Sequence, residues 1–311
     1  MSAWFVVLGV VFLAIVYVFY NYFRIRKMGE GTHEMIEMAE IIRSGAATFL
    51  KTEYKTISIV VVLVALVFSL FVERTSGITF MMGACMSSIV CILGMRSATY
   101  ANVRTANRAR ETRSIGETVK VALCGGSISG LSVQAFGMLG LVLVLILWKG
   151  VDPDTMGTGL IANLKCNSSV MRISTYSLGC SLVAMFNRVA GGNYTKAADI
   201  SADILAKLRH DMPEDDSRVP NVVADFIGDN VNDIAGNCSD LLESFVATMS
   251  ASIAIAVTLF KFGGANVTAA TFNSTVVFPI LLAGGGLIGC LLGLGYAAFR
   301  KMSDNPSREL N

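Results

Sequence analysis

Charge is what this chain has least of. Only 15% of its 311 residues are Asp, Glu, Lys or Arg, against about 25% in soluble domains. Hydrophobic residues make up 53%, and the mean hydropathy is +0.60. That shortage of charge excludes an ordinary soluble domain and indicates an integral membrane protein. Histidine is scarcer still: His33 and His210 stand in polar segments without a partner histidine, so neither is read as a ligand or a catalyst. The seven cysteines form no CxxC pair and no metal-ligand spacing, and they read as small apolar fillers. No Walker GxxxxGK[ST], no GxGxxG and no kinase motif occurs, so a nucleotide is not indicated. No basic run is interleaved with aromatics, which removes nucleic acid as a partner. A nucleophilic Ser or Cys beside a base is also missing.

What the chain has is seven apolar runs, near 3–23, 56–73, 77–99, 121–148, 168–187, 231–262 and 274–299. A transmembrane helix needs about 20 such residues, with a lower limit of roughly 17 that the second run only just meets. The fold class expected is therefore all-α, a polytopic transmembrane bundle of about seven spans forming one domain over 1–311. The first run has no charged segment before it and no small-residue cleavage site, and Arg24, Arg26 and Lys27 follow it, so it reads as a span rather than a signal peptide. With the N-terminus outside, the inside segments hold 20 of the 25 Lys and Arg residues. The positive-inside rule then puts 24–55, 96–120, 188–230 and the C-terminus in the cytoplasm. Segment 34–55 has the pattern of an amphipathic helix that leads into the second span and lies along the cytoplasmic surface. Gly126 and Gly130, and Gly285, Gly289 and Gly293, recur every four residues and predict close helix approach.

Chemistry concentrates in DFIGDNVNDIAGNCSDLLES, residues 225–244. Asp225, Asp229 and Asp233 recur every four residues, which lines three carboxylates along one helix face. The face continues through Asn237 and Asp240 to Glu243 or Ser244, where the surrounding composition is already membrane-like. A charge near mid-bilayer costs roughly 2.5–3.5 kcal/mol on insertion scales, and such residues mark ion or proton paths. Carboxylates one turn apart also repel by a few tenths of a kcal/mol per pair, about as much as each opposite-charge pair would gain. A cation between them reverses that sign. All-oxygen ligands favour Mg²⁺ or Ca²⁺ over zinc. The bland reading, a solvated acidic helix end, leaves Asp240 and Glu243 unexplained.

The preceding loop interleaves charges: Lys196 before Asp199, Asp203 before Lys207, then Glu214-Asp215-Asp216 after Pro213. Carboxylates that hold Mg²⁺, with Lys196 and Lys207 to meet free phosphate oxygens, are the parts that phosphoryl transfer to water requires.

These residues resemble the membrane-integral inorganic pyrophosphatases that pump H⁺ or Na⁺. The likeness rests on RVAGGNYTKAADISADILAKLR (188–209), PEDDSRVPNVVADFIGDNVND (213–233) and CSDLLES (238–244). Weaker echoes run through EIIRSGAATFLKTEYK, GMRSATYANVRTA and GGSISGLSVQAFGMLGL. The resemblance implies that Asp199, Asp203, Glu214, Asp225 and Asp229 bind Mg²⁺–pyrophosphate in segment 188–233. It implies that Lys196 touches the substrate, that Asp233 orients the attacking water, and that Arg188, Asp240 and Glu243 link hydrolysis to an ion gate. It further implies a plasma-membrane homodimer, K⁺ as a possible activator, and a chain roughly twice as long with about sixteen spans. On that expectation a C-terminal half, carried on the same or a separate chain, supplies the other wall of the site. Arg209 and Asn232 depart from the family pattern, which has Glu and Gly there. Two other readings stay open: a remnant that binds Mg²⁺ without hydrolysis, and a secondary transporter or Mg²⁺ channel, which leaves the Lys/Asp loop unexplained.

Overall fold

A computed structural model describes residues 2–152, 154, 156–157, 159, 166–209, 212, 220–262 and 269–300. Seven helices make up the fold: α1 (Ser2–Arg26), α2 (His33–Val67), α3 (Ser76–Thr112), α4 (Ile115–Leu147), α5 (Ser168–Asp203), α6 and α7 (Ala269–Phe299). Helix α6 has three consecutive parts, Pro220–Asp229, a π-helical stretch Asn230–Gly236, and Asn237–Phe262. Shorter π turns extend α2 (Phe68–Val72) and α5 (Ile204–Arg209). Between α4 and α5, β1 (Met156–Gly157) pairs antiparallel with β2 (Cys166–Asn167). Asn167 then starts α5 by accepting a hydrogen bond from the Val170 backbone at 3.0 Å.

Among the described residues, six of these seven helices are long and apolar enough to cross a membrane; α5 is the exception. Its position explains its polarity. Tyr176, Cys180, Val183 and Ala184 are buried along it against α3, α4 and α6, so little of that face needs to suit lipid. Gly179 and Gly83 let α5 and α3 touch backbone to backbone: a Cβ on Gly179 would collide with the Phe80 carbonyl, and one on Gly83 with the Tyr176 carbonyl. By contrast, Gly126, Gly130, Gly285, Gly289 and Gly293 face open space, so the close approach expected from their spacing is not formed among the described residues. A four-residue repeat defines a face without saying whether anything covers it.

The outer surface has the inverse pattern of a soluble protein. Val7, Val11, Ala14 and Val18 of α1 point inward, while Phe5, Phe12, Leu13 and Tyr20 are more than half exposed. The same holds for Ile59, Leu63 and Leu66 on α2 and Phe278, Leu282 and Leu292 on α7. Polar contacts join the spans inside: Asn21 donates to Ser127 at 2.9 Å, and the Thr79 and Thr175 hydroxyls lie 2.7 Å apart. Of the cysteines, Cys91, Cys124, Cys180 and Cys238 are buried as expected, but Cys85 and Cys290 are exposed.

The amphipathic segment 34–55 leads into the second span, as its pattern predicts. It is the first half of α2, capped by Thr32 and continuous with the second span. An α-helix of 35 residues is about 50 Å long, some 20 Å more than the hydrocarbon layer. Helices α3, α5 and α6 overrun it in the same way, and their surplus turns gather at one end. There Phe49 packs on Tyr194 with ring centroids 5.5 Å apart. Asn102 donates to Asn230 at 3.1 Å, and Asn221 donates to Ser201 at 3.0 Å. This projecting end carries the acidic residues.

Candidate active site

The site is built on the α5–α6 crossing. Gly228 sets how close the two helices come, because a Cβ there would sit 2.9 Å from the Thr195 Cα. That contact brings the row Lys196, Asp199, Asp203 on α5 alongside Asp225 and Asp229 on α6. Lys196 donates to Asp199 at 3.0 Å, and Lys207 pairs with Asp203 at 3.3 Å. The Lys196 ammonium is held above its ordinary pKa, first by the Asp199 hydrogen bond and charge, with Asp225 and Asp229 across the crossing adding to it. A lysine so placed stays cationic through neutral pH. The structure thus brings Lys196, Asp199, Asp225 and Asp229 within electrostatic reach of one another. Glu214 lies outside the described residues.

The π-helical stretch falls within the acidic face. In an α-helix, residues four apart drift by about 40° per step because each residue turns about 100°. A π-helix closes its hydrogen bonds at i→i+5 and so winds fewer degrees per residue, and such turns occur often at functional sites. Asp233 lies inside this stretch, Asn230–Gly236, and Asp229 and Asn237 flank it. All three are exposed. Asn232 donates to Asp233 at 3.0 Å and so holds the carboxylate next to it.

One to two turns lower, Arg188 of α5 meets Asp240 of α6 at 2.6 Å and donates to Asn237 at 2.9 Å. Ser181 donates to Glu243 at 2.7 Å. Arg188, Asp240, Ser181 and Glu243 line a cavity of about 530 Å³ whose other walls are apolar, including Val64, Phe80 and Leu178. Acidic residues thus follow α6 from the projecting end down into its apolar half.

Sequence reasoning missed the polar group beside this ladder. Glu53 is 9% exposed, and its Oε1 atom has no hydrogen-bond partner. Next to it Tyr54 lies close to Cys91 and Asn187, and Asn187 donates to Cys91 at 3.0 Å and to Ser239 at 3.2 Å. The available signal was that Glu53 interrupts the inward row Ala46, Leu50, Ile57, Val61 and Ala65 of α2.

Among the described residues, no three His, Cys, Asp or Glu side chains converge closely enough to hold a metal ion by themselves. The donors are all carboxylate oxygens, which suits Mg²⁺. That ion commonly takes one or two carboxylates and completes its shell with water and substrate phosphate.

The family model described as "Inorganic H+ pyrophosphatase" matches residues 12–311. The chain belongs to that family. The pyrophosphatase relatives include the "K(+)-stimulated pyrophosphate-energized sodium pump" of Thermotoga maritima, 42% identical over 303 residues, covering 94% of this chain and 42% of the relative. The "K(+)-insensitive pyrophosphate-energized proton pump 2" of Moorella thermoacetica is 32% identical over 300 residues, covering 96% of this chain and 41% of that pump. The "Pyrophosphate-energized membrane proton pump 3" of Arabidopsis thaliana is 34% identical over 250 residues, covering 74% of this chain and 30% of that pump. The chain spans about two-fifths of the length of the first two pyrophosphatases.

Proposed function

We propose that this chain forms the N-terminal wall of a site that hydrolyses inorganic pyrophosphate with Mg²⁺ and couples the reaction to moving H⁺ or Na⁺ across a membrane. One observation carries the reading: a single helix, α6, bears carboxylates at its projecting end and Asp240 and Glu243 in its apolar half, joined to α5 by Arg188. Family membership supports the same reading, and its relatives carry names for both ions.

Asp199, Asp203, Glu214, Asp225 and Asp229 would hold Mg²⁺, which neutralises charge on the phosphate oxygens and polarises phosphorus when bound. Lys196 and Lys207 contact the remaining phosphate oxygens. Asp233 hydrogen-bonds the attacking water and takes its proton as the new O–P bond forms. The bridging O–P bond breaks, that oxygen leaves with the second phosphate, and two phosphates result. Arg188 answers the charge change above it through its contacts with Asn237 and Asp240, which ties hydrolysis to the ion step.

In the full assembly, a C-terminal half on the same or a separate chain closes the site, K⁺ is an activator where the complete pump requires it, and the protein is a homodimer. The N-terminus lies outside the plasma membrane, and segment 188–233 lies in the cytoplasm.

Phosphate release from pyrophosphate by the complete pump in proteoliposomes tests the assignment. Lys196→Ala removes an ammonium whose hydrogen bonds to charged oxygens are worth about 1.5–3 kcal/mol. The expected result is a tenfold or larger rise in KM for Mg²⁺–pyrophosphate. An unchanged KM removes Lys196 from the substrate site, and no Mg²⁺-dependent phosphate release by the unmodified pump removes the enzyme reading.

A further inference from the structure

A second basic site lies apart from the α5–α6 crossing, where α1, α2 and α3 leave their apolar segments. It is a cavity of about 840 Å³, in the size range of small-molecule sites. Its floor is apolar, formed by Ala46, Leu50, Ile92 and Met95. Its rim is cationic: Arg26 from α1, Lys51 and Lys55 from α2, and Arg96 from α3. Lys51 and Lys55 are four residues apart and so share a helix face, as do Arg96 and Tyr100 on α3.

Arg43 also lines this space, but its charge is answered. It pairs with Glu30 at 2.9 Å and stacks 4.4 Å from the Tyr100 ring centre. Burial pushes the Glu30 carboxyl up, yet Arg43 and Arg104 outweigh it and hold that group below its ordinary pKa. Arg26, Lys51, Lys55 and Arg96 form no ion pair among the described residues, and all four are exposed. The Arg26 guanidinium lies over aromatic faces, 5.4 Å from the Tyr100 ring centre and 5.9 Å from that of Tyr22. Four like charges around one apolar-floored cavity therefore lack a counter-charge.

The position of the cavity says what supplies one. Ser58 lines its lower edge, and the next residues on α2 are Ile59, Val62 and Leu63, each about half exposed or more. Helix α1 continues likewise with Phe23 and Phe19. The cations sit at the water boundary, and the surface directly beside them suits acyl chains. A free phosphate ion fills neither the apolar floor nor that flank.

We propose that this cavity binds the headgroup of an anionic glycerophospholipid, with Lys51, Lys55, Arg96 and Arg26 around the phosphate and the acyl chains along α1 and α2. The inference needs α1–α3 to be membrane spans and does not depend on hydrolysis. Basic pockets between transmembrane helices bind anionic headgroups for the same reason: each Lys or Arg near the surface attracts them by about fivefold in affinity.

Native mass spectrometry of the full protein released from micelles tests the site, with phosphatidylglycerol and phosphatidylcholine supplied in turn. Retention of phosphatidylglycerol over phosphatidylcholine is expected. The combined Lys51→Gln, Lys55→Gln, Arg96→Gln variant should weaken it on the order of a hundredfold. Arg96→Gln alone, one exposed side chain that leaves the fold intact, should weaken it about fivefold. Equal retention of both lipids, or phosphatidylglycerol binding unchanged in these variants, overturns the proposal. So does displacement of the lipid by inorganic phosphate, which would make the site one for a free anion. Because lipid retention is read without turnover, failure here is separate from failure of the hydrolytic reading.

Discussion

Asp233→Asn is expected to lower pyrophosphate hydrolysis by about 10²–10⁴-fold, the usual contribution of a positioned general base. The substitution keeps the side-chain shape and the hydrogen-bonding contact with Asn232, which lies at 3.0 Å. It removes the negative charge and with it the ability to take a proton from water. Asp233 is exposed, and surface substitutions away from caps and cores change stability by about ±0.5 kcal/mol. The loss should therefore appear with an unchanged melting temperature and a KM close to that of the unmodified pump. A rate within twofold of the original would remove Asp233 from the chemistry and move the base elsewhere on α5 or α6.

The second large effect concerns coupling. Arg188 and Asp240 are 2.6 Å apart, with side chains 43% and 37% exposed. An ion pair that open contributes little to stability, about 0–1 kcal/mol. Arg188→Ala should therefore leave the protein folded. It also strips Asp240 of its cation and Asn237 of its donor, at the joint between the carboxylates above and Glu243 below. Ions moved per phosphate released should fall at least tenfold, and transport should lose more than hydrolysis does. If the two activities fall by the same factor, the pair belongs to the hydrolytic site. If neither falls, the pair is a surface contact and the joint lies elsewhere.

The spans and the acidic face were legible in the sequence because both rest on local periodicity: long apolar runs, and carboxylates every four residues. The extent of the helices was less so. An amphipathic pattern over 34–55 fits a helix lying on a surface as well as one projecting beyond it; the packing of Phe49 on Tyr194, and of Ala46 and Leu50 with Ile227 and Val231, selects the second. Helix α5 reads as a span from its apolar run, yet its surroundings rather than its hydropathy keep it inside the bundle. The π-helical stretch that carries Asp233 has no sequence signature. Nor does spacing tell a covered glycine from an open one: Gly83 and Gly179 lie against backbone, while Gly285 and Gly289 face nothing. Glu53 escaped notice because a lone acid within an amphipathic helix does not show its burial; only its place in the inward row of α2 hinted at it.

The central claim is that one helix joins pyrophosphate chemistry to ion movement. The measurement that tests it most directly records phosphate release and ion uptake together, in the same proteoliposomes, as pyrophosphate and Mg²⁺ are added to the complete pump. Release and uptake that begin together, keep a fixed ratio and both stop without Mg²⁺ are the expected result. Ion flux that proceeds without pyrophosphate, or phosphate release with no ion movement, would contradict it.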